Sequence, residues 1–223
     1  MAHFTLYSHA KGANGWSVVF VLKALGLSYE TKYLDFGDFT NGEHKQEPYT
    51  KINPNGRIPA LIDHQNGDST VWESKACLLY LVSKYDTENK LGVANTPEEQ
   101  ATLAKWLFFQ ASGQAPYFGQ GTFFMYIAPE KIPYAIERYK QEAKRVFGVL
   151  ESVLADGREW LMAGKCTVAD LAFLTWNEAG IRHLLPDGSE KDFPHVFDWH
   201  KRTLALPYVA EALKEREAAT QSE

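Results

Sequence analysis

Cysteine is scarce in this chain. Cys77 and Cys166 stand far apart, and there is no CxxC pair or His-Cys cluster. That argues against a zinc site or a dithiol redox motif and fits a reduced, cytoplasmic setting. Both thiols fall at positions that read as packing. Long apolar runs are also missing, and no stretch approaches the roughly 18 residues of a membrane helix. The opening residues, MAHFTLYSHAKGANG, lack the basic, apolar and small-residue regions of a signal peptide. There is no excess of positive charge. The net charge is −5 and the pI about 5.8, so no nucleic-acid partner is expected. Internal repeats and low-complexity tracts are absent. The remainder is ordinary globular material, with 45% hydrophobic and 23% charged residues. At 223 residues the chain can bury a core without staples, as one large domain or two small ones. No metal is expected.

The first 85 residues alternate strand and helix signals. Phe4 to Tyr7 alternates as a half-buried strand, and Ala13-Asn14-Gly15 interrupts it. Residues 16–25 read as a helix closed by Gly26, 29–36 as a second strand and 37–47 as a polar loop. Ile58 to Ile62 enters a third strand, 65–68 is a hairpin turn, 69–72 returns as a fourth, and Ser74 opens a helix to about Tyr85. The order βαβ then αββα is thioredoxin-like. Residues 86–97, polar with Gly and Pro, read as a linker, and 98–223 as an all-helical domain. Its clearest signals are the 3.6-residue periodicity over 132–154 and the capping pair Thr167 and Asp170. Phe193-Pro194 and Leu206-Pro207 start two final helices. The Glu- and Ala-rich tail after Lys214 reads as frayed.

Several residues have a chemical reading beside a structural one. Ile58-Pro59 marks either a strand entry or a backbone turned toward a ligand. Glu73-Ser74 opens a helix whose free N–H groups suit a carboxylate, with Ser74 adding a donor and Glu73 an acid for an ammonium. Alternatively, Ser74 is an ordinary N-cap worth about 1 kcal/mol. His44 and Arg57 are candidate partners for a second carboxylate, although a lone loop histidine is more often solvated. Asn14 lies between strand and helix, where it is either a functional amide or part of an Asn-Gly turn with a left-handed residue. Residues 106–126 are crowded with aromatics that cannot all share one helix face. Phe109, Pro116, Tyr117 and Phe124 are the candidates for an apolar pocket.

NPNGRIPALIDH (53–64), WES (72–74), WLFFQASGQAP (106–116) and TVADLAF (167–173) together resemble the cytosolic glutathione transferases. The likeness is to those related to the fungal nitrogen-regulatory prion protein and to the bacterial nu class. It implies glutathione transferase architecture, an α/β thioredoxin-like N-terminal domain (1–85) and an all-α C-terminal domain (98–223) lining a hydrophobic pocket. It implies a homodimer with glutathione as co-substrate, held by Asn14, His44, Ile58, Glu73 and Ser74, with Arg57 and Pro59 flanking Ile58. Conjugation to small hydrophobic electrophiles is expected, with possible glutathione-linked peroxide or disulfide reduction. The alternative is a non-catalytic binder of hydrophobic or glutathionylated compounds. Asn14, with the helix end behind it, would stabilise the thiolate over a thiol of pKa about 8.5, with Tyr7 or Ser8 as rivals. No cysteine lies near Asn14, so an enzyme-thiol mechanism is not expected. Without an Asn/Gln-rich extension, the prion and regulatory roles lose their vehicle.

Overall fold

The computed structural model describes residues 2–37 and 40–221. They fall into two compact units, one of residues 1–92 with 206–223, the other of residues 93–205. The first contains strands β1 (Phe4–Ser8), β2 (Tyr29–Tyr33), β3 (Ala60–Asp63) and β4 (Ser69–Trp72). They form one sheet in the order β2-β1-β3-β4, with β1 parallel to β2 and antiparallel to β3. The central place of β1 explains why Phe4, Leu6, Thr5 and Ser8 are all buried, where alternation suggests one wet face. β2 ends at Tyr33, short of Phe36, because Glu43 and Gly37 pull the chain into a turn around Asp35.

Helix α1 (Ala13–Ala24) is apolar nearly all round and accordingly buried on almost every side. Gly26, at φ +66°, lets Leu27 N–H reach the Leu22 carbonyl at 2.9 Å and Gly26 N–H reach that of Lys23 at 3.1 Å. This is the left-handed stop a glycine favours. A short helix, α2 (Tyr49–Ile52), sits in the loop after β2, and α3 (Ser74–Tyr85) follows β4. The 65–68 turn is made by a 3-10 turn, His64–Asn66, followed by Gly67 and Asp68 at positive φ. Residues 86–92 are no loose linker. The buried Asp86 carboxylate accepts from the N–H groups of Lys90, Leu91 and Gly92 at 2.7 Å each and winds the segment onto the first unit.

The second unit is helical: α4 (Pro97–Phe109), α5 (Ala115–Thr122), α6 (Pro133–Leu154), α7 (Val168–His183) and α8 (Pro194–Leu204). Stretches of π-helix at Gln110–Gln114 and Phe123–Ile127 follow α4 and α5. They rotate the aromatic face and so distribute rings that one straight helix would crowd. Thr167 and Asp170 form the expected capping box. The buried Asp170 carboxylate also accepts from Leu161 N–H at 3.0 Å and Trp199 Nε1 at 2.9 Å.

The last helix, α9 (Pro207–Gln221), differs from the expectation of one helical body over 98–223. It packs on α1 and belongs to the first unit. Nor is its end frayed as expected. Lys23 reaches Glu211 at 3.0 Å and Glu215 at 2.9 Å, and Tyr29 Oη donates to Glu215 at 2.7 Å.

Candidate functional site

The loop from β1 into α1 is tightly built. Trp16 Nε1 donates to the Ala10 carbonyl at 2.7 Å, and Gly12 N–H to that of His9 at 2.9 Å. A Cβ on Gly15 would stand 1.9 Å from Ser8 Oγ, and one on Gly12 would stand 2.7 Å from the tip of Ile58. Only glycine permits both approaches. Gly12 thus carries the start of α1 onto Ile58. Asn14 lies inside the first turn of α1, half-buried, and its carbonyl accepts from Ser17 Oγ at 2.7 Å. Gly15 is helical, not left-handed, so the turn reading of Asn14-Gly15 is overturned. Ser8 is buried against Gly15. Tyr7 packs with Leu34, Tyr49, Ala60 and Ile58 in a core cluster on the sheet.

The 37–47 loop contains a 3-10 turn, Glu43–Lys45. His44 is completely buried, contrary to a solvated loop histidine, and stacks on Phe36 at 4.1 Å. Phe36 meets the His9 ring at 4.6 Å on its own account. This links the turn to the start of α1, a contact between distant residues that no local pattern announces. Tyr49 Oη and Asn53 Nδ2 both donate to the Arg57 carbonyl, at 2.5 and 2.7 Å, and so fix the chain just before Ile58. The Ile58-Pro59 bond is cis. The Arg57 side chain is exposed. Lys45 lies nearby and donates to the Asn55 carbonyl at 3.3 Å. Burial and the charge of Arg57 lower its pKa. Lys45 is a second cation beside the site that the sequence reading missed. Its adjacency to His44 was the available signal.

Glu73 precedes α3 at φ +72°, a region few side chains tolerate. Strain of this kind, of order 1–3 kcal/mol, gathers at functional sites. Glu73 takes the N-cap position and Ser74 is the first helical residue, so Ser74 is not the N-cap of the structural reading. Ser74 is buried, Glu73 exposed, and Asn55 Nδ2 lies 3.4 Å from Glu73 Oε1. Asn55 thereby joins the 53–59 loop to the α3 start. Just beyond, burial pushes the Lys75 amine down to about 7, and Nζ has no hydrogen-bond partner among the described residues. Burial pushes the Cys77 thiol up to about 12, which makes it inert. Asn14, His44, Arg57, Ile58, Pro59, Glu73 and Ser74 all belong to the first unit, tied into one region by the Gly12–Ile58, Phe36–His44 and Asn55–Glu73 contacts.

The four pocket candidates lie in the second unit and divide in two. Phe109 packs with Trp106 and Phe173. Tyr117 and Phe124 flank Tyr139, at 6.2 and 5.8 Å between ring centres, and Pro116 is exposed at the start of α5. Tyr139 and Phe123 complete this second group, and Phe123 stays partly exposed. Tyr126 Oη lies 3.1 Å from His183 Nδ1 beyond it. Among the described residues no cluster of His, Cys, Asp or Glu is arranged to hold a metal ion.

Comparison with known proteins gives this arrangement its family. The pattern described as "Glutathione S-transferase, N-terminal domain" matches residues 2–83, and "Glutathione S-transferase, C-terminal domain" matches 122–216. Glutathione S-transferase 2 of Schizosaccharomyces pombe is 45% identical, with 96% of each chain covered. The glutathione transferase URE2P6 of Phanerochaete chrysosporium, solved in complex with oxidized glutathione, is 53% identical over 98% of each chain, with a TM-score of 0.92. Ure2p5 of the same organism, cocrystallized with 1-(S-glutathionyl)-2,4-dinitrobenzene, is 48% identical over 99% of this chain and 97% of that one, with a TM-score of 0.90. The chain is a transferase of the cytosolic glutathione S-transferase family, related to its fungal Ure2-like members.

Proposed function

We propose that this transferase binds glutathione in its first unit and activates the thiol toward small hydrophobic electrophiles. The γ-glutamyl carboxylate takes the start of α3 and the Ser74 hydroxyl, and Glu73 takes the ammonium. The Ile58 backbone, beside Pro59, pairs with the cysteinyl backbone. His44, Arg57 and Lys45 face the glycine carboxylate. Asn14 and the α1 N-terminus stabilise the sulfur as thiolate, the form that attacks carbon. The observation that carries this reading is the strained, exposed Glu73 beside the buried Ser74, joined through Asn55 to the Ile58 loop. The complexes of URE2P6 and Ure2p5 with glutathione derivatives support it. The aromatic group of Tyr117, Phe124 and Tyr139 suits a flat apolar co-substrate. The same thiolate can attack a hydroperoxide oxygen or a disulfide sulfur, so peroxidase and disulfide-reductase activities accompany conjugation.

We place the protein in the cytoplasm as a homodimer. No described helix is long and apolar enough to cross a membrane, and both thiols are free and buried. Of the apolar side chains expected to drive pairing, Leu61 is buried and Tyr80 is half-buried with its hydroxyl on Asp63. Trp72 remains 38% exposed, joined by Leu79 at 37%. The test of the catalytic reading is conjugation of glutathione to 1-chloro-2,4-dinitrobenzene, followed as thioether formation. Turnover saturating in both substrates is expected. Tight glutathione binding without turnover of any electrophile, peroxide or disulfide would make the protein a binder instead.

A further inference from the structure

Strand β2 is an edge of the sheet, and its open side faces a groove. Phe4 N–H donates to the Ser28 carbonyl at 3.0 Å and Leu34 N–H to that of Ser8 at 2.9 Å. A parallel ladder alternates, so Ser28, Glu30, Lys32 and Leu34 turn their backbone groups toward β1. Tyr29, Thr31 and Tyr33 turn theirs to the open edge. No hydrogen bond among the described residues engages the Tyr29 or Thr31 backbone there. Thr31 also carries a buried hydroxyl without a partner among the described residues. Side chains alternate as well. Tyr29, Thr31 and Tyr33 line a groove of about 830 Å³ whose other wall is α9, where Ala218 and Ala219 leave room. Lys32 extends to the opposite face, its ammonium 5.5 Å from the Tyr7 ring centre, and does not obstruct the groove. One lysine, Lys23, stands between the two carboxylates of Glu211 and Glu215, so the wall carries excess negative charge.

We propose that the groove between the β2 edge and α9 docks an extended peptide of a partner protein. The peptide adds a strand beside β2 and sets a basic side chain against Glu211 and Glu215. An extended backbone is the chemistry that matches a row of outward N–H and C=O groups. The small alanines admit its apolar side chains on one face. Glutathione plays no part in this site.

The probe is a blocked seven-residue peptide alternating valine and threonine around one central lysine, titrated into the full-length protein. Saturable binding is expected, with slowed amide exchange at Thr31. Thr31→Pro removes the outward N–H at a position where an edge strand tolerates proline. It should weaken binding about tenfold or more, as should N-methylation of the peptide amides that face β2. Ala218→Trp should block the groove. Glutamate in place of the central lysine should bind more weakly. Unchanged melting temperatures show that the variants fold; where Thr31→Pro does not, N-methylation and Ala218→Trp decide. Absence of binding overturns the proposal, as does binding indifferent to N-methylation, which marks a side-chain pocket for small apolar molecules. Self-association of the protein that Thr31→Pro abolishes assigns the edge to a second copy and also overturns it.

Discussion

Asn14 stands in the first turn of α1, where an amide donor and the helix end can act on the same sulfur. Each unit by which the thiol pKa falls is worth about 1.4 kcal/mol of preference for thiolate. Asn14→Ala is expected to raise the pKa of bound glutathione and slow conjugation near neutral pH. The deficit should shrink above the free thiol's pKa of about 8.5, where the solvent ionises sulfur anyway. An ultraviolet thiolate titration of the bound tripeptide reads this directly, and an unmoved midpoint returns the role to Tyr7, Ser8 or the helix end alone. Gly15 has a steric duty beside it. Gly15→Ala places a Cβ 1.9 Å from the buried Ser8 Oγ and should cost about 1–3 kcal/mol in urea unfolding. Adding Ser8→Gly should recover much of that loss; no recovery would mean the backbone, not the hydroxyl, sets the limit. Both positions are nameable from sequence because a glycine after a strand and an asparagine before a helix are local signals. The His9–Phe36–His44 stack is not, since it joins three segments without a shared period.

Strand order decides much that periodicity cannot. β1 alternates like a half-exposed strand yet is buried on both faces, because the 53–63 segment returns antiparallel beside it. The capping box of α7 was legible, three residues apart, whereas the further use of Asp170 by Leu161 and Trp199 needed the tertiary fold. The π-helical stretches after α4 and α5 had no signal beyond too many aromatics for one face. A second buried carboxylate joins β3 to α3. Asp63 accepts from Tyr80 Oη at 2.6 Å, from Tyr85 Oη and from Gln65 N–H at 3.0 Å, with His3 Nε2 3.2 Å away. Burial alone would raise its pKa, but the hydrogen bonds of Tyr80 and Tyr85 outweigh burial and lower it. A carboxylate with a depressed folded pKa stabilises above its unfolded value, about 3.9, and loses that contribution as pH falls through the folded one. Asp63→Asn should therefore be less stable than wild type at neutral pH, and the gap should narrow below about pH 4. Chemical denaturation across that range checks it; a gap independent of pH would mean that shape, not charge, matters at Asp63.

At the scale of the whole molecule, the two-part architecture was readable from the change of period near residue 90, but its boundary was not. The polar residues 86–92 look like a linker until Asp86 is seen gathering three backbone N–H groups. The last helix looks like a sixth member of the helical unit until its acids meet Lys23 and Tyr29. Assembly is tested by light scattering, where a mass of twice 25.2 kDa is expected and the monomer mass would contradict the dimer. Ligand linkage follows from binding to the folded state alone. Glutathione at 100 times its Kd should add about 2.7 kcal/mol of stability. Calorimetric titration of glutathione into wild type, Glu73→Gln and Ser74→Ala tests the first-unit site most directly. Saturable binding to wild type is predicted, weakened about tenfold or more in each variant, with their unfolding free energies shifted by less than the binding loss. Equal affinity in all three proteins, or no binding to wild type, would contradict a glutathione site at the start of α3.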